Sequence, residues 1–124
     1  MRTLLTALLF SALTVYAADA TGKWSGSFEI KTPEGETRNP SAYLVLKQDG
    51  NKLTGSGGPA EDRQEGSVAG TVEGNQLTFT VEHDGQAMNF KLQMDGDSMT
   101  GQVSREHPER GKETAKVSLK RVKD

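Results

Sequence analysis

The amino-acid sequence predicts an all-β protein, an eight-stranded antiparallel up-and-down β-barrel, with a two-sheet β-sandwich as the alternative. Three observations predict it. Runs of alternating apolar and polar residues are punctuated by turn signals at roughly every eight to twelve residues, the spacing of short antiparallel strands. No stretch sustains the apolar period of a helix. An acid, a glycine and then Asn or Asp recur as Asp49-Gly50-Asn51, Glu73-Gly74-Asn75 and Asp95-Gly96-Asp97, with the glycines 24 and then 22 residues apart. That interval is two strands and two turns, and each tip has the chemistry of a hairpin turn that needs positive φ. His83-Asp84-Gly85 makes a fourth tip.

Taken in order, strands are expected over residues 23–31, 41–48, 52–57, 66–73, 76–82, 86–94, 98–104 and 113–122. Connections after the second, fourth and sixth strands are tight, whereas 32–40, 58–65 and 105–112 are long. Successive turns of a meander lie at opposite ends. The long connections and the His83 turn therefore share one rim, an open mouth, while the tight turns and both termini share a closed end.

Side chains alternate across a strand. One face collects Trp24, Phe28 and Ile30; Leu44 and Leu46; Leu53; Val68 and Val72; and Leu77, Phe79 and Val81. It continues with Met88, Phe90, Leu92 and Met94; Met99 and Val103; and Val117 and Leu119. The other face is almost wholly polar. A sandwich also has one apolar face, but an open meander of this length leaves two strand edges bare, which favours closure. Gly26, Gly55, Gly70 and Gly101 share the inward parity and are read as bends at barrel corners rather than as emptied space.

Residues 1–20 read as a signal peptide. Met1 and Arg2 precede an apolar run, LLTALLFSALTV, of about twelve residues, too short to span a bilayer. Small residues then place the cleavage after Ala17 or Ala20, leaving 21–124 as a single domain. The net charge of −2 offers no basic face for nucleic acid and no polybasic patch for a membrane surface. With no cysteine there is neither a disulfide nor a lipid-accepting thiol. An exported domain of this size without disulfides is expected in the bacterial periplasm or the extracellular medium. Oligomeric state is left open.

Gly22-Lys23-Trp24 opens the first strand, and Arg121 sits near the end of the last on the inward parity. This pairing resembles the calycin superfamily (lipocalins, fatty-acid-binding proteins, avidins). There a Gly-x-Trp packs beneath an arginine of the last strand at the closed end. The resemblance implies that Gly22, Trp24 and Arg121 form a structural plug, with the cation over the indole face. The chain departs from those families in its short length, its lack of lipocalin disulfides and its single tryptophan. It is closer in style to small exported bacterial barrels.

Candidate chemistry is sparse. His83 and His107 share the mouth with Asp84, Glu61, Asp62, Glu106 and Glu109, but their spacing matches no ligand motif, so neither metal nor cofactor is expected. Asp95-Gly96-Asp97 has Met99 where a calcium loop needs an oxygen. No nucleophile elbow is present, and no acid pair projects from the apolar face, so an enzyme is not expected. The reading that remains is a small exported binding protein holding a small apolar molecule inside the barrel, against Phe28, Leu46, Phe79, Met88, Phe90 and Met99. Arg38, Arg63, His83, Arg105 and His107 would stand at the rim, the arginines (with Arg110) meeting any anionic head. The alternative is an exported protein-interaction module such as a hydrolase inhibitor.

Overall fold

The structure is a computed structural model that describes residues 19–32, 34–107 and 111–123. Of the segment read as a leader, all but Asp19 and Ala20 lies outside the described residues. Among the described residues nine strands follow one another: β1 (Gly22–Lys31), β2 (Thr37–Arg38), β3 (Ser41–Asp49), β4 (Lys52–Gly58), β5 (Gly66–Glu73), β6 (Gln76–His83), β7 (Gln86–Asp95), β8 (Ser98–His107) and β9 (Gly111–Arg121). Each of β3 to β9 pairs antiparallel with its neighbour in sequence, β1 pairs with β3, and β9 returns to β1. The sheet is thus a closed eight-stranded up-and-down barrel with β2 appended outside β1. Closure rules out the sandwich, in which two sheets would keep separate edges.

The three expected tips are two-residue hairpins, with Asp49 opposite Lys52, Glu73 opposite Gln76 and Asp95 opposite Ser98. In each the first turn residue is a glycine at positive φ (Gly50 65°, Gly74 60°, Gly96 64°), which only glycine adopts at little cost. Asp84 and Gly85 are both left-handed (51° and 78°), so the fourth tip is the mirror-type turn that suits the twist of a hairpin. The carbonyl of the second turn residue then accepts from the strand two further on: Val72 N–H to Asn51 O, Met94 N–H to Asn75 O and Arg121 N–H to Asp97 O, at 2.8–2.9 Å. Val122 N–H to Lys23 O continues this ring of bonds around the closed end.

Inside lies one apolar core. Trp24, Leu53, Leu77 and Met99 are fully enclosed, and Leu44, Leu46, Phe79, Phe90, Val117 and Leu119 nearly so. No polar or charged residue is buried among the described residues. A Cβ added at Gly26, Gly55, Gly70 or Gly101 would overlap a backbone carbonyl of the adjacent strand: Ser118, Val45, Thr78 and Lys91 respectively. Those glycines are where neighbouring backbones press together as the sheet coils, and they leave no ligand space.

The mouth differs from the sequence expectation in three places. First, 32–40 contains β2, whose Thr37 and Arg38 pair with Lys31 and Ile30. Ile30, expected inside, is 36% exposed because β1 has left the wall: its ladder with β9 ends at Glu29 and Lys116. Second, 105–112 is largely ladder, with Arg105, Glu106 and His107 opposite Glu113, Lys112 and Gly111. The cross-strand ion pair Arg105 Nε to Glu113 Oε1, 3.0 Å, supports that extension. The β7–β8 ladder begins only at Asn89 and Ser104, so beyond it residues 105–107 and 111–113 continue as a two-stranded ribbon. Third, 58–65 folds back over the outer wall. Gln64 donates to Tyr43 O and Ala60 O and accepts from the Ser56 hydroxyl, while Lys23 bonds Glu61 at 2.6 Å.

Candidate functional site

With two ribbons splayed and the third connection folded outward, nothing described covers the mouth. Beneath it is a half-open cavity of about 240 Å³. Phe28, Leu44, Val81, Met88, Phe90 and Val117 make its walls, and Ser41, Pro59, Glu65, Gly66 and His83 its rim. The floor is aromatic. Phe90 lies against Phe79 with ring centroids 4.8 Å apart and planes 8° from parallel, and Phe28 leans on Phe90 at 6.1 Å. Below that stack the barrel is filled by its own side chains.

Of the six interior residues expected to meet a ligand, Phe28, Met88 and Phe90 line this cavity. Phe79 sits behind Phe90, while Leu46 and Met99 are buried towards the closed end and do not line it. Leu44, Val81 and Val117 belong to the cavity too. Their inward parity was legible, but alternation gives the face of a residue and not its depth along the barrel.

At the rim, His83 is held by its Nδ1 against the carbonyl oxygen of Glu65 at 3.0 Å, with its Nε2 3.3 Å from Asp84 Oδ2. Glu65 Oε1 lies 4.0 Å from the same Nε2. Arg63 faces Glu65 at 3.9 Å, Arg105 is paired with Glu113, and Arg38 is exposed on β2 away from the cavity. The His107 side chain and Arg110 lie outside the described residues. Among the described residues no three His, Asp or Glu side chains come together to hold a metal ion. A wider depression of about 420 Å³ runs along the outer wall by Ser27, Thr100, Gln102 and Ser118.

The closed end is built around Arg121. Its guanidinium lies 4.4 Å from the Trp24 ring centroid. It donates to Asp97 Oδ1 (2.9 Å), Thr21 O (2.8 Å) and Asp19 O (3.0 Å). The chain before β1 completes the plug: Trp24 Nε1 donates to Ala20 O at 3.0 Å, and Ala20 N–H to Gln48 Oε1 at 2.8 Å. Ala20 is wholly buried. Hydrogen bonds from Lys123 and then Arg121 hold the Asp97 carboxyl below its ordinary pKa. Asp19 is also lowered, first by the Thr21 backbone N–H and then by its hydroxyl.

No protein-family model, curated protein or solved structure matches this chain. The closed eight-stranded antiparallel barrel is compatible with a calycin-like fold.

Proposed function

We propose that this is an exported, calycin-like binding protein that holds one compact apolar molecule in the mouth of its barrel. The observation that carries the reading is the apolar cavity, left open by the described residues, that ends on the Phe28–Phe90–Phe79 stack. Its volume of about 240 Å³ lies between the ~150 Å³ void that accepts benzene and the ~300 Å³ floor of drug-sized sites. A ligand of about ten to twelve non-hydrogen atoms fits that range, whereas the tail of a long-chain fatty acid would meet Phe90 and stop. The rim also disfavours a carboxylate head. Arg63 and Arg105 already face Glu65 and Glu113, and Glu65 itself is on the cavity edge.

The methionines provide the test, since Met88 lines the cavity and Met99 is buried away from it. In protein labelled at the methionine methyls, naphthol should shift the Met88 resonance saturably, with a Kd of about 10–100 µM for a ligand of this size. Met99 should stay in place, palmitate should give no comparable saturation, and Phe90→Trp should weaken naphthol binding. A Met88 signal that does not saturate with naphthol would remove the carrier reading and leave an exported interaction module in its place.

A further inference from the structure

We infer that leader removal cuts the Ala17–Ala18 bond, so that the mature chain starts at Ala18 and carries Asp19, Ala20 and Thr21 into the fold as a clasp on the closed end. The sequence alone allows either position. Val15 and Ala17 satisfy the preference of a leader peptidase for small residues, and Ala18 and Ala20 satisfy it slightly better. The closed end separates them. The cut itself is a hydrolysis: water adds across the peptide bond, its oxygen going to the Ala17 carbonyl carbon as that carbon–nitrogen bond breaks. Ala17 leaves as a carboxylate and Ala18 becomes a free amine.

A cut after Ala20 would remove two residues the folded domain uses. The Trp24 indole N–H would lose the carbonyl it donates to, in a residue with no exposed surface. Burying a donor without an acceptor costs much of its desolvation. The Gln48 side-chain oxygen would lose the Ala20 N–H, the space now filled by Ala20 would stand empty, and Arg121 would lose the Asp19 carbonyl. The new terminus adds a charge conflict. Thr21 would carry an ammonium one residue's backbone away from the carbonyl oxygen that the Arg121 guanidinium binds, and the Asp19 carboxylate beside it would be gone. A cut after Ala17 disturbs none of these bonds. The amine then falls on Ala18, next to Asp19, whose lowered pKa keeps it anionic.

The full chain expressed with export in a Gram-negative host tests this by intact mass. The soluble exported protein should have the mass of a chain starting at Ala18. A start at Thr21 overturns the inference, and an uncleaved Met1 overturns the leader reading on which it rests. A second measurement is independent of the peptidase: chains begun at Ala18 and at Thr21 after cytoplasmic expression. The Thr21 form should show tryptophan emission shifted to the red, and its folding equilibrium constant should fall by at least about tenfold. Equal emission and equal denaturation midpoints would mean that the clasp does not matter, and would overturn the inference whatever the mass shows.

Discussion

At the scale of single residues, Arg121 joins more of the chain than any other side chain described. One guanidinium covers the Trp24 face, binds two carbonyls of the segment before β1 and pairs with the Asp97 carboxylate on the β7–β8 turn. Lysine could not replace it, because an ammonium has neither the planar face nor the spread of donors. Arg121→Ala should lower stability by about 2 kcal/mol through the lost cation–π contact and charged hydrogen bonds. It should also move tryptophan emission to the red, and both are read in one denaturant titration. The Gly22-x-Trp24 and Arg121 pairing was legible in the sequence; the involvement of Ala20 and Gln48 was not, since nothing marks a small residue at the end of an apolar run as a plug. Asp97 gives this cluster a pH dependence. Its folded pKa lies below that of the unfolded chain because Lys123 and Arg121 stabilise the carboxylate. Its contribution is therefore present above the unfolded value near 4 and disappears as pH falls through the folded one. Asp97→Asn should reduce stability at neutral pH, and the gap between mutant and wild type should narrow to nothing in strong acid, as followed by urea midpoints from neutral pH downward.

At the scale of elements, the turns were the most legible part of the chain and the mouth the least. Gly50, Gly74 and Gly96 each occupy the one turn position where positive φ is required, so local chemistry alone places those hairpins and their register. The alternation of β3 to β9 follows once the turns are set. Ile30, the 105–112 connection and Gln64 escaped because their positions depend on particular pairings that alternation does not encode: β2 for Ile30, the Arg105–Glu113 pair for the ribbon, Tyr43 O for Gln64. Gly26 shows what closing the barrel requires of an element. Its backbone meets Ser118 O and Leu119 Cα of β9 so closely that no Cβ fits between them, and this is the seam where the first and last strands join. Gly26→Ala should cost about 2–3 kcal/mol by forcing the strands apart. The neighbouring outward Ser25→Ala should stay within about 0.5 kcal/mol of wild type, a contrast that thermal unfolding of the pair measures directly.

At the scale of the whole molecule, the two ends of the barrel are built on opposite terms. One is sealed by a ring of turn carbonyls and by Trp24. The other has splayed ribbons and an aromatic floor a short way down. Parity could not distinguish a filled barrel from a hollow one, because the answer lies in how Phe79 and Phe90 stack across the interior. The pairing of β1 with β9 also has a mechanical consequence. Trp24 stands opposite Arg121, so the beginning of the first strand and the end of the last leave the barrel side by side. Tension applied between those ends would not shear the β1–β9 ladder along its length. It would peel the rungs apart one at a time from Trp24 towards Glu29, breaking the Arg121 contacts first, and antiparallel strands loaded in this way part at low force. A chain tethered at both ends would thus open like a zipper from its sealed base, with the mouth the last part of that seam to give way.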